Sequence, residues 1–562
     1  MDAYYRELIH EILIKKPDKM ELSRLKTKLC KKHGLKKIPT DIQVLMHAEA
    51  DDLVVLEGYL MTKPTRSMSG VAAVAIMTAP YECPHGKCLM CPGGPKSRFS
   101  SPQSYTGHEP ATLRGIRNDY DPYLQVFNRL EQYVVTGHIP QKIELIIMGG
   151  TFPALSSDYQ DSYIAYALKA MNDFSRLFFS SGRLDLLKFK SFFHLPGQVG
   201  DQQRVSSIKK SLTKIKGTCG LSDEQERNQS SAIRCVAMCV ETRPDYCGKE
   251  QIDRMLLQGV TRVELGVQTV FDDVLLKIER GHTSKDSAIA TKLLRDSFLK
   301  VGYHMMPGLP GSDEDRDLDM FRQIFLDPSY RPDALKIYPC MVVEGTGLYD
   351  LWKKGDFTPM DTKTALKLVV AIKEYVPDYC RIMRVQRDIP TKMIAAGVDR
   401  TNLRQMVKQS GVKCRCIRCR EAGHVIRKSC ISPDEIKMFR QDYCASDGTE
   451  IFLSFEDKER TMLFGFCRLR IPAEPFREEI TPKSAGIREL HVYGQALAIG
   501  MEKREGSFQH LGLGSSLLSA AEKIAKEEFG KSKMVVISGV GVRQYYERSG
   551  YSCDGPYMSK TL

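Results

Sequence analysis

The sequence predicts a multi-domain α/β protein in three parts. These are a small basic helical module at the N-terminus, a parallel partial (β/α) barrel in the middle, and a second α/β domain at the C-terminus. Three observations predict it. Short apolar runs alternate with helical stretches between residues 71 and 338, as in parallel strands buried on both faces. Three cysteines, Cys83, Cys88 and Cys91, follow the first of these runs within nine residues. Near the far end, Gln509, Gly512 and Gly514 make a Gln-x-x-Gly-x-Gly pattern that opens an amphipathic helix.

A chain of 562 residues, 42% hydrophobic and 27% charged, has room for two or three ordinary globular domains. No apolar run reaches bilayer length, and Met1 to Arg6 lack an apolar core, so neither a membrane span nor a signal peptide is expected. The expected setting is soluble and cytoplasmic. Seventeen cysteines, in two tight clusters plus scattered singles, point to metal ligands in a reducing compartment rather than to disulfides. The net charge of +13 favours a polyanionic partner, most simply nucleic acid.

Residues 1–65 read as a helical bundle, with Ile9, Ile12, Leu13, Leu22, Leu25 and Leu29 at helical spacing. Lys15, Lys16, Lys26, Lys28, Lys31, Lys32 and Lys36 fall on this module, opposed between residues 15 and 37 only by Asp18 and Glu21. Such a run is either a solvated helix face or a phosphate-binding surface, whose affinity comes from counterion release.

Residues 66–380 carry the barrel pattern. The run at 71–77 leads into the cysteine loop, and the run at 143–148 ends in Gly149, Gly150 and Thr151. The run at 235–240 ends in Glu241, Thr242 and Arg243, that at 262–267 in Gln268, and those at 303–306 and 334–338 in Pro307 and Pro339. Helical stretches at 123–135, 251–257 and 287–301 lie between them. Barrels of this kind gather function at the strand C-termini, so Glu241, Arg243, Gln268, His304 and Lys336 are expected at one mouth beside the cysteines. Residues 175–230, rich in Lys, Ser and Gln, break the rhythm and read as an inserted loop.

Thiolates are soft ligands, and three on one loop can hold three corners of an iron–sulfur cube, leaving one iron open to a small molecule. Gly93 and Gly94 let backbone approach such a group closely. A tetrahedral zinc site is the rival, and three plain buried thiols the remaining alternative. Residues 381–431 read as a zinc-binding linker, in which Cys414, Cys416 and Cys419 favour structural zinc, with His424 as the nearest fourth ligand and Cys430 or Cys380 as alternatives. Free thiols on a basic turn are the other reading. Arg384, Arg387 and the arginines of this loop are candidates for phosphate contacts.

In residues 432–562, strands are expected at 461–470 and 487–493, then the Gln-x-x-Gly-x-Gly helix to about residue 529. A strand at 534–538, a short helix holding Tyr545 and Tyr546, and a terminal hairpin follow. Glycines at a helix start bare N–H groups at the positive end of the dipole, which suits a pyrophosphate.

Two resemblances follow from these motifs. Residues from about 71 to 350 resemble radical S-adenosylmethionine (SAM) enzymes, although the spacing is Cys-x4-Cys-x2-Cys where Cys-x3-Cys-x2-Cys is usual. Residues 432–562 resemble GNAT acetyltransferases. With Gln103–Gly107, Glu241–Tyr246, Arg387–Pro390, Glu489–Gly494 and Gly555–Met558, the whole chain resembles the Elongator protein 3 family, in its archaeal or bacterial form. That resemblance implies carboxymethylation at C5 of a tRNA wobble uridine, with a [4Fe–4S] cluster on Cys83, Cys88 and Cys91, SAM, and acetyl-CoA as substrate.

The same resemblance implies roles for other residues. Gln509, His510, Leu511, Gly512, Leu513 and Gly514 would cradle the coenzyme, with Tyr545 or Tyr546 near the thioester. Half-buried packing is the alternative for these tyrosines. Lys336 would meet the acetyl group or the tRNA. Glu241, Gln268 and His304 are SAM or substrate contacts, or else buried hydrogen-bonding groups. Lys15 to Lys36, with Arg384 and Arg387, would bind the tRNA anticodon stem-loop, and self-association or accessory subunits would accompany it. A lysine acetyltransferase using Glu489 or His491 as its base is the competing enzyme. A zinc-stabilised RNA-binding protein is the competing function of another class.

Overall fold

The computed structural model describes residues 2–49, 52–60, 70–197, 201–422, 435–493 and 512–562. At the N-terminus, helices α1 (Asp2–Lys15), α2 (Lys19–Lys32), α3 (Asp41–His47) and α4 (Leu53–Leu60) pack around Tyr4, Leu8, Ile12, Leu22, Leu29, Val44 and Leu56. Asp18 caps α2 in a capping box with Glu21, and Thr40 caps α3 with Gln43, which explains why the chain turns at those points. The module docks on the central domain: Val135 and Leu195 pack against its core, and Lys190 Nζ donates to the Ala48 carbonyl at 2.7 Å.

The central sheet has seven parallel strands in chain order: β1 (Ala72–Met77), β2 (Lys142–Met148), β3 (Arg234–Thr242), β4 (Arg262–Gln268), β5 (Lys300–Met305), β6 (Ala334–Ile337) and β7 (Arg381–Val385). Each strand pairs with the next in sequence, so the sheet winds in one direction and curls, while β1 and β7 remain its two edges. That is a partial barrel, as expected. Helices 122–135, 157–178, 249–257, 284–296, 314–326 and 362–375 cover its outer face. The seventh strand lies beyond residue 380, in the stretch read as a linker. Its pairing partner, β6, is more than forty residues away in the chain, and short-range pattern carries no sign of that pairing.

Residues 175–230 are chiefly helical. After the long helix Ser157–Phe178 come helices Leu186–Phe192, Gln202–Lys216 and Leu221–Ser230. The loop expectation rested on polarity, but Phe189, Phe193, Ile208 and Leu212 form a buried stripe against Phe174 and Phe178, and the polar residues cover the outside.

The C-terminal sheet runs β8 (Lys437–Ala445), β9 (Gly448–Glu456), β10 (Leu463–Ile471), β11 (Ser484–Val492), β12 (Lys533–Val536), β14 (Tyr557–Thr561), β13 (Ser552–Asp554). All neighbours are antiparallel except β11 and β12, which pair in parallel from Ser484 to Ile487 and then part. The helix Leu513–Glu527 connects that pair. This splayed, mixed sheet is the GNAT-like α/β domain the sequence predicted, with two N-terminal strands, β8 and β9, that the pattern had not separated.

The two α/β domains meet at the N-terminal ends of the barrel strands, and charge dominates the contact. Arg488 donates to both Asp333 oxygens, at 2.5 and 3.1 Å, and to Glu450 at 2.9 Å. Arg470 holds Asp296 at 2.5 Å, Arg295 holds Glu450 at 2.9 Å, and Lys300 holds Glu489 at 3.1 Å. Arg295, Arg468, Arg470 and Arg488 are all 1% exposed or less. Burial alone would raise the Asp333 carboxyl, but Arg488, Arg468 and Arg295 outweigh it and hold the group far below its usual range.

Removing one member of a buried network orphans its partners, at a cost of about 3–5 kcal/mol. Asp333→Ala is therefore expected to lower the melting temperature by several degrees, read by circular dichroism. An unchanged melt would show that the network contributes nothing net.

Candidate active site

The cysteine loop leaves the C-terminal end of β1 and folds over the barrel mouth. The His85 ring lies between Cys83 Sγ and Cys88 Sγ, 3.0 Å from each through its two nitrogens. Cys91 Sγ donates to Gln103 Oε1 at 3.3 Å, and Arg280 Nη1 reaches Cys88 Sγ at 3.5 Å. Arg243 anchors Arg280 by donating to its carbonyl at 2.7 Å, while Asp245 orients Arg243 at 2.7–2.9 Å. Burial pushes the Cys83 and Cys91 thiols up, although Arg243 and Arg280 work against this at Cys83.

These residues fit an iron–sulfur cluster. The three sulfurs do not gather within 4.8 Å of one another, whereas Cys414, Cys416 and Cys419 do. Corners of a cube require such spacing, and a single tetrahedral zinc, with Zn–S near 2.3 Å, does not. Two fixed guanidinium groups supply positive charge beside ligands that must ionise. A Cβ on Gly93 would sit 2.2 Å from the Pro102 carbonyl, and one on Gly149, at φ +137°, 1.9 Å from Thr78 Oγ1, so the loop closes only with glycine there.

Below the loop, charged side chains line a cavity of about 660 Å³ that reaches from the cysteines to Glu144 and Arg262 near the strand starts. Lys336 Nζ stands 2.5 Å from Glu264 and 3.2 Å from Glu241. Glu241 also accepts from Tyr105 OH at 2.9 Å, and His304 Nε2 lies 2.5 Å from Glu264. Arg262 completes the floor, 3.0 Å from Glu144 and 3.2 Å from Glu264. Burial opposes ionisation throughout. Lys336 and His304 nonetheless keep Glu241 below the usual carboxylate range, and Glu264 keeps Lys336 above the usual lysine range. The ammonium already stands between the carboxylates where a metal ion would otherwise have to go.

Of the residues singled out in the sequence, Cys83, Cys88, Cys91, Glu241, Arg243, Gln268, His304, Lys336, Arg384 and Arg387 line this one cavity. Gln268 sits at φ +70°, a left-handed conformation unusual for its type, at the end of β4. Sequence reasoning missed Tyr105, Glu264 and Arg280. Glu264 sits inside an apolar strand run, where a lone acid among Val263, Leu265 and Val267 was the available signal.

The other candidates lie elsewhere. Gly512, at φ +73°, precedes helix Leu513–Glu527, and a Cβ on Gly514 would come 2.9 Å from Tyr545 OH. Tyr545 is 39% exposed at this helix start, whereas Tyr546 is buried in the domain core beside Leu517 and Tyr551. Gln509, His510, Leu511, His424 and Cys430 lie outside the described residues. Glu489 and His491 sit on β11 in the domain interface. Burial would raise Glu489, but Lys300 and Arg468 bring it down to about 2, and burial lowers His491 to about 4. A carboxylate held this firmly by two cations is a poor proton acceptor.

Cys380 does not join the group formed by Cys414, Cys416 and Cys419. On the N-terminal module, Lys15, Lys16, Lys28, Lys31, Lys32 and Lys36 are exposed. Lys15 pairs with Glu11, and Lys32 with Glu7 at 2.5 Å. Lys26 is buried against Asp41 at 2.8 Å, a structural contact that leaves it unavailable to a phosphate.

A three-cysteine loop on the C-terminal mouth of a parallel partial barrel defines a radical SAM protein. Residues 80–324 match the family model of the Radical SAM superfamily and residues 332–411 that of the Radical_SAM C-terminal domain. Residues 1–68 match the ELP3 N-terminal domain. A "tRNA uridine(34) acetyltransferase" of Methanocaldococcus infernus is 46% identical over 93% of this chain and 92% of its own length. The "Elongator complex protein 3" of Drosophila melanogaster is 39% identical over 99% of this chain and 95% of its own. The solved structure "The archaeal Methanocaldococcus infernus Elp3 with N-terminus deletion (1-46)" superposes with TM-score 0.71 and 42% identity, covering 88% of this chain and all of that one. The chain belongs to the Elongator protein 3 family.

The Glu489 ion pairs have a pH signature. Its folded pKa of about 2 lies below that of an unfolded carboxylate, so the pairs stabilise fully above about pH 4.5 and lose that contribution as pH falls toward 2. Glu489→Gln is expected to melt below the parent at about pH 7, with the gap narrowing by about pH 3. A gap independent of pH would contradict this placement.

Proposed function

We propose that this chain modifies C5 of a tRNA wobble uridine, forming a carboxymethyl group from acetyl-CoA in a SAM-dependent radical reaction. The observation that carries the reading is the joining of two sites in one chain. A cysteine triad stands over a charged cavity, and a GNAT-like domain with a glycine-led helix is locked beneath it. The likeness to relatives named for uridine-34 acetyltransfer, spread over almost the full chain, supports the same conclusion.

Cys83, Cys88 and Cys91 would hold a [4Fe–4S] cluster, with Arg243 and Arg280 offsetting its charge. When bound with SAM, the cluster supplies a one-electron cleavage that yields a carbon radical able to take hydrogen from a methyl group. The protein's part is to bind, orient and exclude water. Tyr105 and Lys336 hold the Glu241 carboxylate in one orientation toward the cavity, and Gln268 and His304 face the same space. Acetyl-CoA would lie at the start of helix Leu513–Glu527, where β11 and β12 part, with the Tyr545 hydroxyl rather than Tyr546 near the thioester. Cys414, Cys416 and Cys419 would bind structural zinc, the fourth ligand coming from His424 or Cys430. Exposed lysines of α2, with Arg387, would contact tRNA phosphates. The work would be done in the cytoplasm, with self-association or accessory subunits assisting.

The test uses anaerobically reconstituted full chain with acetyl-CoA, SAM, a reductant and bulk tRNA, followed by mass spectrometry of nucleosides. A carboxymethyl-uridine that requires both SAM and acetyl-CoA is expected, and Cys83→Ser should abolish it. Lysine acetylation of added peptides that survives Cys83→Ser, with no uridine product from the parent, would return the lysine acetyltransferase reading. Tight tRNA binding without turnover of either cosubstrate would leave only an RNA-binding protein.

A further inference from the structure

The partial barrel has a side opening, because β1 and β7 are edges that do not pair with each other. Side chains from both banks of this opening line the same cavity: Ala73, Ala75, Arg114 and Arg129 on the β1 side, and Met383, Val385, Arg404 and Arg418 on the β7 side. Four of these eight are arginines.

Most other arginines nearby are paired with an acid; Arg280 and Arg387, which also line the cavity, are held by Cys88 and the Gly266 carbonyl and by the Ser104 carbonyl, respectively. Around them, Arg262 is paired with Glu144, Arg381 with Glu421, Arg384 with Asp388, Arg415 with Asp378 and Arg420 with Glu456. Among the described residues, Arg114, Arg129, Arg404 and Arg418 form no ion pair with a carboxylate. Arg114, 9% exposed, donates Nη2 to the Ala75 carbonyl at 2.6 Å, and its Nε has no partner among the described residues. Arg129 donates to Gln132 and to Tyr133 OH at 3.1 and 3.2 Å, and Arg404 donates to the Ile382 carbonyl at 2.8 Å. These contacts orient the guanidinium groups without neutralising them.

Burying like charges together has a cost. Burial and then Arg129 lower Arg114 to about 10. A structural role would have been served by neutral side chains or by adding carboxylates. An arriving anion removes the penalty on both banks at once.

We propose that this opening is a phosphate clamp through which a single RNA strand enters the barrel sideways, Arg114 and Arg129 gripping it from one bank and Arg404 and Arg418 from the other. The inference deepens the tRNA reading above and rests on it. An extended polyanion fits better than one coenzyme, because guanidinium groups stand on both sides of one slot. On the β1 bank, Arg129 lies on helix Pro122–Val135, whose Val135 packs against the module that carries the exposed Lys28 and Lys31. A base threaded between the banks would reach the cavity floor, while its flanking phosphates stay at the arginines. The cysteine-rich turn thereby has a second use. Of its three arginines, Arg415 and Arg420 pair internally, and only Arg418 is held out to the cavity.

The test measures binding of a fluorescein-labelled RNA hairpin with a uridine in its loop, by anisotropy across a salt series, using the full chain. Arg404→Ala with Arg418→Ala is expected to weaken binding about tenfold or more. The slope of log affinity against log salt should fall by about 0.7 for each phosphate that is no longer gripped. The lysine pair Arg404→Lys with Arg418→Lys should keep the parent's slope. Arg129→Ala, on the opposite bank, should lower it independently.

A parent-like slope in the folded alanine variants overturns the clamp. So does intact RNA binding with weakened binding of coenzyme A, which would assign the slot to the cosubstrate. If the alanine pair fails to fold, a parent-like slope in Arg129→Ala overturns the clamp equally. Product formation in the parent is scored separately. A clamp that fails beside an active parent leaves the function standing, and a clamp that holds beside an inactive parent removes only the reaction.

Discussion

The structure depends on a lattice of buried opposite charges between two α/β domains. Asp333, just before β6, is grasped by Arg488 and approached by Arg468, both from the C-terminal sheet. Glu450, from that sheet, accepts from Arg295 of the barrel. A charge in such a place is tolerated only while its partners are complete, since each ion alone costs several kcal/mol to desolvate. Neither domain can close its own surface there, so the two hold one orientation. This contact falls at the N-terminal ends of the barrel strands and leaves the opposite mouth free for the cysteine loop.

At that mouth, ionic pairing serves a different purpose. Lys336 satisfies Glu264 and Glu241 together, and Tyr105 takes the remaining Glu241 oxygen, so the floor is charged but locally balanced. Its side chains are preorganised by each other and need not rearrange around a ligand. The flanks of the open barrel differ, carrying guanidinium groups that form no ion pair with a carboxylate among the described residues. Interface, floor and flanks thus use the same residue types in three states of pairing.

Much of this was legible in the chain. Apolar runs such as Ile143 to Ile147 and Arg262 to Val267 announced buried parallel strands, and polar residues in or just after several runs, Glu241, Gln268, His304 and Lys336, line the cavity at the mouth. The runs failed where burial is one-sided or long-range. Arg381 to Val385 is broken by Arg381 and Arg384, so it read as a linker although it forms one edge of the sheet. Phe189, Phe193, Ile208 and Leu212 are too widely spaced among Lys, Ser and Gln to look like a core until the helix Ser157–Phe178 packs against them. Tyr105 lay in a motif noted for its family likeness, with nothing local to say that its hydroxyl reaches Glu241, 136 residues away.

By itself, the sequence determined which chemical groups are available and the order in which the elements carry them. Three soft ligands follow the first strand, a glycine-led helix opens late, and the excess of positive charge is set by composition. These are local properties, because periodicity and ligand spacing depend on neighbours within a few residues. Only the tertiary structure decided which of those groups are spoken for. It buried Lys26 against Asp41, held Glu489 between Lys300 and Arg468, separated exposed Tyr545 from buried Tyr546, and left Arg404 and Arg418 without an ion pair among the described residues. A charge is free or paired according to what the fold brings within about 4 Å of it, a distance at which desolvation and Coulomb attraction both become large.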